Sequence, residues 1–376
     1  PFALAYAPRA GRGNAGAVAH ALDHATPPPL FSDMDRVYNA LDLLNIDDGG
    51  ALRGSLRQLD GEVYANVATV VMGASRMFLD VLRDQTHLAR EENVQRAQNG
   101  WRSWVSGYGG ASSLYGTDDV HGLAFSTGGF AVGADYRINP QLQIGVSGSY
   151  ARSGFSLSGV SASGGMDSYS LASYLGYASG NLYFDGGLGY SFNPISASRA
   201  IVFPGITRSA SAGFNSNALL SRAEVGYHFF WNDAFRTTPF ASVQGVYLEQ
   251  NGFSEQGADA INLNIHGRSY ALALASIGSE ASLDVPISMR APLTITGKLG
   301  WAHDYADINR SVEADFQGAM NSGFWVNGAH WPRNAAAIGG RISLPLPQAN
   351  VFIRYDGLYS TNASFSNATS GVMVNF

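Results

Sequence analysis

The stretch NLYFDGGLGYSF, residues 181–192, alternates between two kinds of side chain. Its even positions include Leu182, Phe184 and Leu188, whereas its odd positions include Asp185 and two glycines. A period of two residues is typical of a β-strand that has one apolar face and one polar or small face. The segment therefore predicts a strand that separates two different environments.

The same alternation recurs along the chain after Gly100. It gives about twelve segments, near residues 101–111, 122–138, 140–153, 167–178, 181–194, 213–230, 236–250, 268–284, 291–305, 334–345, 349–360 and 367–376. An even number of such segments, each about ten residues long, is typical of a closed antiparallel barrel in an outer membrane. Only the segment 236–250 leaves its register open, because apolar residues lie on both faces: Phe240, Val246 and Leu248 on one, Val243 and Tyr247 on the other.

The connections between the segments alternate between short and long. Short turns are predicted near 139–140, 179–180, 231–235, 285–290 and 345–348, and long polar loops at 112–121, 154–166, 195–212, 251–267 and 306–333. Outer-membrane barrels sort their connections in this way, because their periplasmic turns are short and their extracellular loops are longer. The pattern favours such a barrel over a soluble β-sandwich.

The composition of the 376 residues agrees with a membrane wall rather than with a membrane helix. Charged residues make up only 14%, and there are 45 glycines, no cysteine and a net charge of -6. Average soluble domains have about 25% charged residues and about 7% glycine. These figures exclude a disulfide framework and a cysteine nucleophile and disfavour a strongly basic nucleic-acid binder. No stretch of about 18 uninterrupted apolar residues predicts a spanning helix.

The charged face of the wall is expected to point inward. An Arg or Lys on the lipid face of such a barrel costs about 2–4 kcal/mol at the bilayer midplane. The charged residues predicted to line the lumen are Asp135, Arg137, Asp185, Arg222, Glu224, Lys298, Asp304, Arg341, Arg354 and Asp356. Aromatic residues near segment ends are predicted to form belts at the membrane surfaces: Trp101, Trp104, Tyr136, Tyr190, Trp231, Trp301 and Tyr359.

The chain before Gly100 has a helical pattern instead. Apolar residues between residues 55 and 90 recur at steps of three, four or seven, which predicts one long helix over about 60–91. An α-helix is about 10–12 Å across, so it could fit inside a barrel of intermediate size. The residues assigned to a helix in the pore are Glu62, Val63, Asn66, Val67, Val70, Ala74, Met77 and Val81. A shorter helix is predicted near 33–44.

Several segments resemble one known family. QLDGEVYANVATVVMGASRMFLDVL, residues 58–82, resembles the pre-barrel helix of bacterial autotransporters of type Va secretion, with Asp60 in place of the usual serine. The segments 221–230, 238–258, 324–346, 351–360 and 371–376 resemble the family's later strands. The matching residues are Leu59, Gly61, Glu62, Ala65, Glu224, Gly226, Tyr227, Pro239, Phe240, Phe253, Glu255, Gly257, Gly328, Arg333, Gly340, Tyr355, Asp356 and Phe376.

The resemblance implies an all-β membrane protein: a 12-stranded antiparallel transmembrane β-barrel with an N-terminal α-helix inside the pore. It implies a passenger remnant or linker with a short helix at 1–59, a pore-threading helix and linker at 60–100, and the barrel at 101–376. The function implied is export of the chain's own N-terminal passenger across the outer membrane of a Gram-negative bacterium, with the passenger side extracellular. Val372, Val374 and Phe376 would form a C-terminal signal for the barrel-assembly machinery.

The sequence also leads to expectations about partners and to two alternative functions. A monomer in contact with outer-membrane lipid and lipopolysaccharide is expected, without nucleic acid, metal or cofactor. A passive porin is the main alternative, and a lipid-active barrel enzyme is the third. The chain lacks H-E-x-x-H, G-x-S-x-G and phosphate-loop motifs, and His228, His266 and His303 are interpreted as ordinary barrel or loop residues. Self-cleavage at Asn66 is disfavoured, because the family's Asn-Asn pair is missing.

Overall fold

The computed structural model describes residues 5–46, 50–93, 100–286, 292–346 and 349–375. Twelve strands form a closed antiparallel barrel, as predicted. They are β1 (Gly100–Leu114), β2 (Leu123–Arg137), β3 (Leu142–Leu157), β4 (Ala162–Ser179), β5 (Leu182–Phe203), β6 (Ile206–Tyr227), β7 (Phe235–Gln250), β8 (Arg268–Pro286), β9 (Pro292–Asp304), β10 (Asn334–Pro345), β11 (Ala349–Tyr359) and β12 (Ala363–Asn375). Each strand pairs with its chain neighbours, and β12 pairs with β1, which closes the wall.

The two faces of the wall differ as the alternation predicts. On β5 the side chain of Leu188 is 66% exposed and faces outward, whereas Asp185 is 1% exposed and faces the lumen. The register of β7 is decided in the same way: Val243 and Tyr247 face outward, and Phe240, Val246 and Leu248 are buried inside. The outward face is therefore the apolar surface that meets lipid.

Trp104 corrects the expectation of a surface aromatic belt at one position. It points into the lumen, is 4% exposed and donates a hydrogen bond from Nε1 to the Tyr174 hydroxyl at 2.7 Å. Gly133 lies opposite it on β2, where a Cβ atom would come within 2.4 Å of the indole ring. The alternation of β1 places Trp101 on the outer face and Trp104 on the inner face, and a glycine on the neighbouring strand makes room for this large inward side chain.

Two of the predicted long loops are strands. The predicted loop 195–212 is the tip of the β5–β6 hairpin, and most of 154–166 belongs to β3 and β4. The segment 195–212 is rich in serine, but its inward positions include the buried side chains of Ile195, Ile201 and Phe203. The strands therefore continue beyond the lipid-facing wall, because their inner face still has apolar residues to bury.

The predicted loops 251–267 and 306–333 pair with each other. They form a separate sheet of four short strands in the order Phe324–Asn327, Ser311–Phe316, Leu263–Ile265, Phe253–Ser254. This small sheet lies at the end of the barrel that carries the long connections, which we call the loop end. The opposite end, with the short β2–β3 and β4–β5 connections, is called the turn end.

Six helices precede the barrel: α1 (Ala7–Ala10), α2 (Gly13–His24), α3 (Asp33–Ile46), α4 (Gly50–Leu59), α5 (Glu62–Ala65) and α6 (Val67–Asn93). The helix α3 begins as expected, with Ser32 Oγ accepting a hydrogen bond from the Asp35 amide at 3.2 Å. The sequence predicts only one short helix, near 33–44, before residue 60, so α1, α2 and α4 are additional to the prediction. In α2, Val18 and Leu22 lie one helical turn apart and are buried.

The single helix expected over 60–91 is interrupted at Asn66. The Asn66 side chain donates to the Glu62 carbonyl at 3.0 Å and accepts from the Ala329 amide at 2.9 Å, so it ties the break to the loop end of the barrel. Residues 62–90 are long and apolar enough to cross a membrane, but 94% of their most apolar window is buried in the protein. The helix is therefore enclosed by the barrel and does not face lipid.

Candidate functional site

The functional site is the lumen of the barrel, which α6 occupies along its length. The helix runs from the loop end, where Glu62 meets His121, to the turn end, where Arg137 Nη2 donates to the Ala89 carbonyl at 3.1 Å. The residues assigned to the pore helix are all buried: Glu62, Val63, Asn66, Val67, Val70, Ala74, Met77 and Val81. Gly73 faces the ring of Phe125 so closely that a Cβ atom would lie 2.7 Å from it.

The entrance of α5 at the loop end is held by polar contacts. Glu62 accepts a hydrogen bond from the His121 amide at 2.6 Å and contacts the His121 ring at 2.8 Å. Asp60 accepts from the Glu62 amide at 2.8 Å, and burial together with the nearby Glu62 carboxylate raises the Asp60 pKa well above its usual value. Gly61 between them has φ 70°, a conformation that favours glycine. These contacts fix the point at the loop end where the chain enters the lumen.

A second set of contacts lies towards the turn end. Arg83 forms ion pairs with Glu224, at 2.9 Å, and with Glu280. His87 Nε2 lies 2.9 Å from Glu224, and Arg90 pairs with Asp185. Removing one partner of a buried pair is strongly destabilising, because the other charge is left without compensation. These pairs therefore hold the helix to the wall in one register.

The ten predicted lumen charges are all buried or half-buried inside the barrel, but they have different partners. Asp185, Arg222, Glu224 and Arg354 contact α6, as does Arg137. Lys298 and Asp356 pair with each other at 2.9 Å, and Arg341 is 8% exposed beside Glu280. Asp135 pairs along the wall with Arg102 at 2.6 Å. Asp304 instead accepts backbone hydrogen bonds from Ala273 and Ala306 at the loop end.

The predicted site residues include the wall side of these pairs but not the helix side, which consists of Arg83, Asp84, His87 and Arg90. Glu280 of β8 is also absent from the predicted lumen charges. A signal was available, because Arg76, Asp80, Arg83, His87 and Arg90 follow one another at steps of four, three, four and three residues. Such spacing places charges on one face of a helix. A charged face on a helix before a barrel with a charged lumen predicts their pairing.

The same region includes three groups close enough to hold a metal ion. Ligand atoms of His87, Asp185 and Glu224 lie within 4.8 Å of one another. Three guanidinium groups already compensate the neighbouring carboxylates: Arg83 and Arg222 on Glu224, and Arg90 on Asp185. A divalent cation would have to displace these pairs, so the donor set does not fit a metal site well.

A cavity of about 50 Å³ lies beside α6 in the lumen, between the helix and side chains of both β6–β7 and β8–β12. Polar and charged groups line it, including Arg76, Gln244 and Lys298. Such a volume holds a few water molecules. The described part of the lumen is therefore filled by the helix.

A family of known proteins has this architecture. The family model of the autotransporter beta-domain matches residues 103–356. The chain belongs to the autotransporter β-domain family. It is an outer-membrane β-barrel, and the prediction of this family and of its fold is confirmed.

Comparison with solved structures agrees on the fold of this autotransporter β-domain. The translocator domain of the autotransporter NalP from Neisseria meningitidis is 16% identical, with a TM-score of 0.62, and the match covers 80% of this chain and 97% of that one. The transport unit of AIDA-I from Escherichia coli is 15% identical, with a TM-score of 0.56, covering 75% and 92%.

Curated relatives are longer than this β-domain. An extracellular serine protease of Serratia marcescens is 24% identical over 331 residues, which are 86% of this chain and 31% of that protein. The esterase EstA of Pseudomonas aeruginosa is 26% identical over 196 residues, which are 51% of this chain and 30% of that protein. The matched part of the chain thus spans about a third of the length of each of these two relatives.

Proposed function

We propose that this β-domain is a translocator that exports its own N-terminal passenger and is then plugged by α6. The observation that carries the proposal is the path of the chain. The described residues before Asp60 lie outside the barrel at the loop end. From Asp60 the chain enters the lumen, fills it as α6 and reaches the turn end near Ala89. A helix held by ion pairs inside the pore would block the diffusion of solutes that an open porin allows.

The orientation follows from the connections. Short turns in outer-membrane barrels face the periplasm and longer connections face outward. The loop end, with its long hairpins and small sheet, would therefore be extracellular, and so would the region before Asp60. This arrangement supports the division into a passenger side at 1–59, a pore segment at 60–100 and a barrel at 101–376.

Removal of residues 1–91 tests the plugged pore. In planar bilayers we expect the intact chain to stay nearly closed and the shortened chain to show a large, sustained conductance. Both proteins should first show the different gel mobilities of folded and boiled barrels. An intact chain that conducts as much as the shortened one would support the porin and contradict the plug.

Assembly by the barrel-assembly machinery is the second part of the proposal. Val372 on β12 faces outward and Val374 is half-buried, and Phe376 lies outside the described residues. An alternating apolar end next to lipid is the pattern that the family resemblance associates with assembly. Deleting Phe376 should leave unfolded, protease-sensitive material in the periplasm, and normal folded barrels would contradict this role. Lipopolysaccharide is proposed as the surrounding outer-leaflet lipid.

We propose no catalysis for the β-domain itself. Among the described residues six histidine rings, of His24, His87, His121, His228, His266 and His303, bond carboxylates, Thr238, Asn334 or a backbone carbonyl rather than a serine hydroxyl. A hydrolytic triad needs a base that reaches its nucleophile. Phospholipid hydrolysis in detergent, lost on replacement of one serine, would favour the lipid-active enzyme instead.

A further inference from the structure

We propose that α1–α4, within the described residues 5–46 and 50–59, form an outer cap that closes the barrel independently of the helix in the lumen. This inference rests on the plugged pore proposed above and adds a second barrier to it. The four helices are not an extended linker. They fold against one another and dock onto the loop end of the barrel.

The helices of the cap pack on one another through apolar side chains that belong to the continuous hydrophobic core of the protein. The fully buried ones include Tyr6, Val18, Leu22, Val37, Leu41, Leu52, Leu56 and Leu59. The Tyr6 hydroxyl donates to Asp42 at 2.7 Å, and the Tyr38 hydroxyl donates to the Leu22 carbonyl at 2.8 Å. Asp23 accepts from the amides of Tyr6 and Ala7. Side chains and backbone thus join α1, α2 and α3 into one folded unit.

The strongest contact between the cap and the barrel is at the β5–β6 hairpin. Asp33 of α3 forms a two-pronged ion pair with Arg208, at 2.6 and 2.7 Å, and also accepts from the Ala260 amide. Gln58 of α4 accepts from the Val202 amide at 2.6 Å through its side chain. Its carbonyl accepts from Arg199 at 2.6 Å. Two helices of the cap are thus anchored to one projecting hairpin.

Other contacts lie elsewhere around the rim. The Asn14 amide group bonds both the carbonyl and the amide of Asn327, at 2.9 and 2.8 Å, so it satisfies the edge of the small sheet. The Thr26 amide donates to the Met320 carbonyl at 2.9 Å. Arg53 donates to the Asp118 carbonyl, between β1 and β2, at 3.0 Å. Contacts at several separate places hold the cap more firmly than a single hinge would.

The chain between the cap and α6 is enclosed. Every residue from Leu59 to Asn66 is buried, and Tyr64 donates to Glu255 at 2.7 Å inside the loop end. A solute that passed the helix in the lumen would still meet the cap and the small sheet. The two barriers share few contacts, so each should hold when the other is loosened.

A two-by-two comparison in the full chain tests the cap. The cap variant combines Asn14→Ala, Asp33→Ala and Gln58→Ala, and the lumen variant combines Arg83→Ala and Arg90→Ala. In planar bilayers we expect either variant alone to open rarely. The combined variant should open at least about tenfold more often than the sum of the two, because the opening probabilities of two independent barriers in series multiply. Arg9→Ala, at an exposed position of α1, is the matched control and should change nothing.

The outcomes separate the two proposals. A parent chain that conducts continuously would defeat the plug and with it the cap. A closed parent, with a combined variant no more open than the lumen variant, would defeat only the cap. Each variant must show the gel mobility of a folded barrel before it is scored.

A cross-link gives a second measurement that does not depend on undocking. The chain has no cysteine, so Asn14→Cys and Asn327→Cys would introduce the only thiol pair. Added to the lumen variant, the oxidised pair should suppress its remaining openings by about tenfold, and a reductant should restore them. Equal opening in the oxidised and reduced states would overturn the inference.

Discussion

The helix α6 and the cap helices α1–α4 belong to one segment of chain, yet they are held to the barrel in different ways. Arg83 and Glu224, which anchor α6, have side chains only 6% and 1% exposed. Asp33 and Arg208, which anchor the cap, are 26% and 14% exposed, and Arg53 and Asp119 are 37% and 50% exposed. Buried charges depend on their partners much more than exposed ones do. The helix α6 is thus held in the lumen by a few buried ion pairs on which its position depends, and the cap is held at the rim by many weaker contacts.

The largest expected effect comes from Glu224, the centre of the lumen cluster. Glu224→Ala leaves Arg83 and Arg222 buried without this carboxylate, so we expect a loss of about 3–5 kcal/mol in stability. Chemical unfolding in lipid vesicles measures it. Glu249→Ala, at an exposed outward position of β7, is the matched control and should stay within about 0.5 kcal/mol. Equal effects would contradict the contrast between lumen and surface.

Gly73 gives the next effect. In Gly73→Val the new side chain would meet the Phe125 ring, where even a Cβ atom lies 2.7 Å away. Overpacking of this kind typically costs about 1–3 kcal/mol. The expected result is a lower unfolding midpoint and more frequent channel opening, because α6 no longer seats fully. An unchanged midpoint would mean that the helix can move away from β2 without penalty.

Gly54 in the cap is the counterpart of Gly73. A Cβ atom at Gly54 of α4 would meet nothing within 4 Å. Gly54→Ala should therefore stabilise the cap by about 0.5–1 kcal/mol through helix propensity alone. Slower proteolysis of the cap measures the gain. Faster proteolysis would show that α4 packs more tightly than described.

The smallest effect is the pH dependence of the cap. The hydrogen bond from Arg208 lowers the Asp33 pKa below its usual value of 3.8, although partial burial opposes it. The stabilisation is therefore present above pH 3.8 and is lost as the pH falls through the lower pKa of the docked state. After allowance for solvent screening the pair is worth up to about 1 kcal/mol. Proteolysis of the cap should accelerate at low pH in the parent chain, and the acceleration should be smaller in Asp33→Asn. Identical pH profiles would remove Asp33 from the docking of the cap.

Much of the fold could be predicted because alternation within a single strand assigns each side chain to the outer or the inner face. Alternation places Leu188 outside and Asp185 inside without reference to any other strand. The serine-rich tip of β5 is an exception that depends on its neighbours, because Ile201 and Phe203 have a surface to cover there. Trp104 follows the alternation of β1, which places Trp101 outside and Trp104 inside. Likewise the lumen charges could be predicted as a group, whereas the choice of Glu224 rather than Asp135 as a partner of α6 could not.

Periodicity within single segments predicts a twelve-stranded wall with an apolar outside, a charged inside and a helix long enough to fill it. Which charges meet, where the helix breaks and how α1–α4 pack depend on contacts between distant segments. Ion pairs such as Arg83 with Glu224 join residues 141 positions apart, and Asn14 meets Asn327 across 313. Contacts at such separations depend on how the barrel closes, and no local pattern encodes them.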